Sequence, residues 1–243
     1  MKDLSGYKLV FFDDFDKGAL DMNAWEDRRI GRSGCGYDSM GQVSFDGSLL
    51  HIKGKYEPAG EFGPGWYGCS LSVKKRWTKG YYECRCKPGH ALNGGLWSAF
   101  WIQAEHPYDP KLSRGGRDGA ELDIFECWTG TDGVEYFEST IHCAGMEKRL
   151  RPSKDLDSLT FVRFVPDNLC SEFHTFGLDW DDDAYTVYMD GVKIASTSWG
   201  DGTSSASGEV VLSVCVPGSA DFTDDTDYVN DFVVDWVKIW QKD

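Results

Sequence analysis

The hexapeptide Glu121-Leu122-Asp123-Ile124-Phe125-Glu126 sets three carboxylates inside an otherwise apolar run. An extended chain points alternate side chains to opposite faces, so Glu121 and Asp123 share a face. Glu126 follows Glu121 by five residues, an odd spacing that sends it to the other side of a regular strand. One residue looped out as a β-bulge restores the parity and gathers all three acids on one face. Crowded acids repel one another and must be desolvated, so stability alone gives little reason to build such a cluster. Glycoside hydrolysis does need it: two carboxyls on either side of a sugar bond, one ionised and one still protonated near neutral pH. A solvated edge strand, an acidic surface and a metal site are the competing readings. Leu122, Ile124 and Phe125, followed by Cys127-Trp128, favour a central strand with one buried face.

The elements that must position these acids are strands. Runs bounded by turn residues recur at Tyr7 to Phe12, Gln42 to Phe45, Ser48 to Lys53, Gly80 to Lys87, Gly95 to Gln103 and Glu121 to Trp128. They continue at Glu138 to Cys143, Ser171 to Trp180, Tyr185 to Met189, Val192 to Ser196, Glu209 to Val216 and Asp231 to Gln241. Asp46-Gly47 and Asp190-Gly191 are favoured hairpin turns. Helical periodicity is confined to a short turn around Asp21 to Trp25. The pattern predicts an all-β, antiparallel two-sheet sandwich. Alternation places Tyr81, Glu83, Arg85 and Lys87 on one face, read as the wall of a polar groove, and Tyr82, Cys84 and Cys86 on the buried one. It likewise groups Trp97, Ala99, Trp101 and Gln103 opposite Ser98, Phe100 and Ile102. Two tryptophans one step apart can form a stacking platform for sugar rings, or simply pack in a core.

With 243 residues the chain can form one large β domain or two small ones, and no linker divides it convincingly. Its 10 Trp, 11 Tyr and 28 Gly suit a β-sandwich, and Trp and Tyr also stack on sugars. A net charge of −15 disfavours nucleic acid and anionic membrane as partners. It is compatible with a neutral polymer. No apolar run is long enough to cross a membrane. The opening MKDLSGYKLVFFDDF has no signal-peptide core, so either the protein is cytoplasmic or a leader has been removed. Eight cysteines invite a disulfide framework, but their scatter among apolar neighbours reads as free buried thiols. A zinc site from Cys84, Cys86 and His142 lacks the supporting CxxC pair.

The hexapeptide resembles the ExDxxE signature of glycoside hydrolase family 16, in the bulge-containing branch that includes laminarinases and agarases. Other blocks are similar to the family in the same order. Tyr81 to Lys87 resembles its YGxxExRxK strand, and Gly95 to Trp101 its GLWPAFW strand. Phe173-His174-Thr175-Phe176 through Trp180 is similar to FHTYxxxW, Tyr188 to Gly191 to YVDG, and Val234 to Gln241 to VDYVRVYQ. The resemblance spans about residue 8 to residue 241 and implies a β-jelly roll with a concave substrate cleft, a single catalytic domain over residues 1–243.

It also implies a retaining endo-β-glycosidase that needs no catalytic cofactor and works as a secreted monomer on a polysaccharide. Glu121 would be the nucleophile, Glu126 the general acid/base, and Asp123 the residue that orients the nucleophile. Glu83 and Arg85 match groove residues that hydrogen-bond sugar hydroxyls; a surface ion pair is the plainer reading of the two. Trp97, Trp101 and Gln103 match the groove floor, and His142 a cleft histidine near the acid/base. His174 reads as a buried structural histidine. A structural Ca2+ would be held partly by Asp235 and the backbone of Gly47. Arg114 to Ala120 departs from the family's WPxxGEID context, and Val211 to Val216 lacks the Asn and Trp of lichenases. β-1,3-Glucan or mixed-linkage β-1,3/1,4-glucan is the expected substrate, with a β-galactan or mucin-like glycan as rival. The same fold and cleft would also serve a non-catalytic carbohydrate-binding jelly roll or a transglycosylase. The loops Glu105 to Gly119 and Ser33 to Met40 are expected to set specificity.

Overall fold

A computed structural model describes residues 2–91, 95–104, 119–143, 158–198, 203–219, 221, 223 and 225–242. Its strands in chain order begin with β1 (Tyr7–Asp13), β2 (Trp25–Asp27), β3 (Gly31–Ser33), β4 (Gly36–Asp38), β5 (Val43–Asp46) and β6 (Leu49–Glu57). There follow β7 (Gly65–Val73), β8 (Gly80–Lys87), β9 (Trp97–Ala104), β10 (Ala120–Thr129), β11 (Glu135–Cys143) and β12 (Ser158–Phe164). The chain closes with β13 (His174–Trp180), β14 (Tyr185–Met189), β15 (Val192–Thr197), β16 (Gly208–Cys215) and β17 (Val229–Lys242).

The pairings resolve into two faces of an antiparallel sandwich. One sheet, here the cleft sheet, runs β2-β7-β16-β9-β10-β11-β12. The other, the back sheet, runs β5-β6-β17-β8-β13-β14-β15, with β1 beside the C-terminal half of β17. β7 belongs to both: its first residues pair with β6, and its later ones with β16 and β2. Both Asp-Gly turns close the hairpins expected of them, β5-β6 and β14-β15, with positive φ at Gly47 and Gly191. The Asp21 to Trp25 segment is a turn, in which the Trp25 N–H donates to the Asp21 carbonyl at 2.9 Å.

Period-2 alternation buries one face of each sheet against the other. Phe100, Ile102, Leu122, Ile124 and Leu212 meet Tyr82, Cys84, Cys86, Phe176 and Phe232 in one continuous core. Phe125 sits at its centre, 4.3 Å from Phe176 and 5.8 Å from Phe232 between ring centroids. A bulge in β17 between Val234 and Trp236 keeps Phe232, Val234, Val237 and Ile239 all inward despite their uneven spacing.

Five described strands lie where no strand was expected: the three-residue β2, β3 and β4, and the longer β7 and β12. β8 requires a correction. It pairs with β13 and β17, so Glu83 and Arg85 lie on the outer face of the back sheet, across the core from the acid trio. Glu83 accepts a hydrogen bond from the Tyr81 hydroxyl at 2.9 Å, while Arg85 is ion-paired with Asp235 and lies over the Phe173 ring. The plainer ion-pair reading therefore holds for Arg85, and neither residue lines the cleft.

Candidate active site

β10 carries the trio as the parity argument requires. Against β9, Glu121 faces Gln103, Asp123 faces Trp101 and Glu126 faces Ala99, three alternate positions on one face. Against β11 the same acids face His142, Thr140 and Glu138. Between Asp123 and Glu126, β10 has one more residue than either neighbour uses, which is the bulge. Its apolar residues anchor it, since Ile124 and Phe125 are both wholly buried. The bulge also frees the Ile124 carbonyl from the ladder, and the buried Ser139 hydroxyl donates to it at 2.6 Å.

Burial grades the three acids. Glu121 keeps 27% of its side chain exposed and Asp123 only 5%, while Glu126 is half-buried. Burial, then the charge of Asp123, raises Glu121 to about 7, against the opposing pull of His142 and Arg28. The same two causes push Glu126 higher, to about 8, although the Trp97 indole works against them by donating to its Oε1 at 2.8 Å. Asp123 is also raised, by burial, with His142 opposing. His142 Nε2 lies 3.0 Å from Asp123 Oδ2 and 3.9 Å from Glu121 Oε1. The closer contact is an ion-pair distance but off the line of a good hydrogen bond. Burial alone would lower the imidazole; the three acids, Asp123 foremost, more than reverse it, so His142 is raised. The two glutamates thus titrate near neutral pH, Glu126 above Glu121.

The expected floor residues assemble around the trio, but not as an open platform. Trp97 stacks on Trp128 at 4.9 Å and 21°. Trp101 donates from its indole to Ser213 Oγ at 3.0 Å, and the Arg28 guanidinium covers its ring at 4.5 Å. Gln103 is buried opposite Glu121 and accepts from Arg28 at 3.4 Å. Arg28 is fixed in turn by Glu209, at 2.7 Å. Trp128 was in the apolar run, and its parity with Glu126 could have placed it. Arg28 and Glu209 had no such signal.

The segment before β9 is held by a buried amide. Asn230 donates to the Leu96 carbonyl at 2.7 Å and the His90 carbonyl at 3.2 Å, and accepts from Ser98 Oγ at 3.2 Å. Ser98 Oγ in turn accepts from the Gly89 N–H at 2.9 Å. Trp97 therefore leaves a backbone pinned on both sides of it.

The remaining residues singled out by sequence lie elsewhere. His174 is buried, with its Nδ1 2.8 Å from Asp190, as a structural histidine should be. The pair Asp235 and Gly47 is a poor calcium site: the Asp235 carboxylate is neutralised by Arg85, whose positive charge opposes a second cation. Neither residue joins a metal-competent side-chain group among the described residues. Cys35, Cys69, Cys84, Cys86, Cys127, Cys170 and Cys215 are free thiols. Of the two specificity loops, Ser33 to Met40 forms the β3-β4 hairpin and a 3₁₀ turn, whereas residues 105–118 lie outside the described residues.

Known proteins share this architecture. The sequence model of the glycosyl hydrolases family 16 matches residues 37–238. A glucan endo-1,3-beta-glucosidase of Cryptopygus antarcticus is 29% identical over 120 residues, which is 49% of this chain and 40% of that protein. Among solved structures, SCLam, a non-specific endo-beta-1,3(4)-glucanase, superposes with a TM-score of 0.75 at 23% identity. It covers 100% of this chain and 94% of its own. Porphyranase B of Zobellia galactanivorans gives 0.73 at 20% identity, over 97% and 92%. At these identities the structural likeness establishes the jelly-roll fold.

Proposed function

The chain belongs to the glycosyl hydrolases of family 16, and on that premise we propose that it cleaves internal β-glycosidic bonds of a polysaccharide with retention of configuration. Residues 1–243 are read as one catalytic domain acting as a monomer; the pairing of β1 with β17 ties the two ends of the chain together. The observation that carries the reading is the bulged register of β10, which puts Glu121, Asp123 and Glu126 on one face.

In the first step a Glu121 carboxylate oxygen attacks the anomeric carbon. The bond to the leaving oxygen breaks as Glu126 gives that oxygen its proton. In the second, Glu126 takes a proton from water, the water oxygen bonds to the anomeric carbon, and Glu121 leaves as carboxylate. Each role asks for a different charge state. The higher position of Glu126, about 8 against about 7 for Glu121, supports giving Glu126 the proton. His142 and Arg28 favour the ionised Glu121 that attack requires. Asp123, beside both, sets the charge that the pair must share.

β-1,3-Glucan or mixed-linkage glucan is the substrate proposed first, in keeping with what the curated relative and SCLam act on. Porphyranase B keeps a β-galactan reading in play. Reducing ends released from laminarin, lichenan, agarose, porphyran and mucin, with product sizing, test both. Glu121→Gln should abolish release while the melting curve stays cooperative. Hydrolysis retained in that variant, or a folded wild type inert on every polymer, would overturn the proposal.

A further inference from the structure

Away from the cleft, four side chains from both sheets converge at one end of the sandwich. His90 follows β8, Glu135 opens β11, Cys170 precedes β13 and Cys127 lies in β10. His90 Nδ1 is 2.5 Å from Glu135 Oε1, and the other Glu135 oxygen accepts from the Cys170 N–H at 3.3 Å. The Cys170 sulfur is 3.4 Å from the Cys127 sulfur. One ligand atom each from His90, Glu135 and Cys170 lie within 4.8 Å of one another. Nothing in glycosidic chemistry asks for this grouping. As packing it is wasteful, since it sets an imidazole and a carboxylate beside two thiols.

We propose that His90, Glu135 and Cys170, with Cys127 behind them, form a binding site for a borderline-soft divalent cation, Zn2+ by the character of its ligands. Imidazole nitrogen, carboxylate oxygen and thiolate sulfur are the three donor types that Zn2+ takes together. Tetrahedral Zn2+ with bonds of about 2.0–2.3 Å holds neighbouring ligand atoms roughly 3.3–3.7 Å apart, so small side-chain adjustments close the shell. The entrance is open: His90 is 46% exposed and Glu135 27%. Cys127 is wholly buried, and its sulfur backs that of Cys170 from the core side.

His90 Nδ1 pairs with Glu135 Oε1, and Cys127, then burial, keeps the Cys170 thiol well above its ordinary value. Cys170 is therefore a poor free nucleophile. A cation displaces the thiol proton, so its affinity rises with pH. Because the ligands come from both sheets, the ion would act as a staple at that end. The His90 carbonyl already shares Asn230 with the segment leading to Trp97, so the staple also braces the approach to the cleft.

The test uses the full chain, reduced and stripped with chelator, titrated with Co2+ as a coloured stand-in for Zn2+. Thiolate-to-cobalt charge-transfer absorption is diagnostic, because Glu121, Asp123 and His142, the other metal-competent group among the described residues, contain no sulfur. The expected result is one such Co2+ per chain, bleached by one equivalent of Zn2+. Cys170→Ser should abolish the absorption and His90→Ala should weaken binding at least tenfold. Cys215→Ser, which removes a thiol beside Ser213 and apart from this group, should leave it intact. Should Cys170→Ser fail to fold, Glu135→Gln gives the same reading, with circular dichroism confirming its sheet. No charge-transfer absorption, absorption that survives Cys170→Ser, or absorption lost with Cys215 would each overturn the proposal. So would a Cys127–Cys170 disulfide that forms in air as fast with Zn2+ as without it.

Discussion

Trp97→Phe isolates one hydrogen bond to the proposed acid/base. In the native site the Trp97 indole N–H donates to Glu126 Oε1 at 2.8 Å, which favours the carboxylate and lowers the pKa. Phenylalanine keeps an aromatic ring against Trp128 and removes only the donor. A hydrogen bond to an ionised group contributes about 1.5–3 kcal/mol, and partial exposure of Glu126 argues for the lower end. At 1.36 kcal/mol per unit, the shift is roughly one pKa unit upward. The group that must be protonated then holds its proton to higher pH, so the alkaline limb of kcat/KM should move from about 8 towards about 9. The acid limb, set by Glu121, should stay within about 0.3 unit because Trp97 makes no hydrogen bond to it. Initial rates of reducing-end release between pH 4 and pH 10 read both limbs. An alkaline limb that stays put, or moves to lower pH, would refute the assignment of Glu126 as the acid.

Asp123→Asn removes the charge that raises both neighbours, so the whole pH profile should move to lower pH; an unmoved optimum would show that Asp123 does not set the charge of the pair. Ser139→Ala leaves the buried Ile124 carbonyl without its donor and should cost about 1–3 kcal/mol in denaturant unfolding. A loss under about 0.5 kcal/mol would show that the bulge does not need Ser139. Glu83→Gln lies on the far sheet, so kcat and KM should stay within about twofold of wild type; a larger rise in KM would restore it to the groove.

The trio was legible because strand parity is local. Five residues between Glu121 and Glu126 is odd, and the run is too apolar to be left unpaired, so a bulge was the economical resolution. The same rule failed at β8 for an instructive reason. Alternation says that Glu83 and Arg85 share a face, but not which sheet owns it. That depends on β8 pairing with β13 and β17, partners roughly a hundred residues away and more. β7 escaped notice because its open-face positions carry small residues, Gly68, Ser70 and Ser72, and both of its faces are largely buried. The alternation that remains, Cys69-Ser70-Leu71-Ser72-Val73, is short and follows Gly65-Trp66-Tyr67-Gly68, where none holds. Arg28 and Glu209 meet across 181 residues, a contact that only the closed sandwich creates.

Desolvation is the largest cause raising both glutamates, and it acts without regard to role. What separates them is the set of specific neighbours. Glu121 has His142, Arg28 and Gln103 to favour its charge; Glu126 has the single Trp97 donor, with His142 acting after it. That donor is positioned from the core, where Asn230 pins Leu96 and Ser98 on either side of Trp97. An acid held by one adjustable bond can be tuned without moving the nucleophile. The asymmetry needed for a proton-transfer pair thus comes from unequal neighbours, on the adjoining strands β9 and β11 and at Arg28 just after β2, while the acids themselves share one strand and are both raised first by burial.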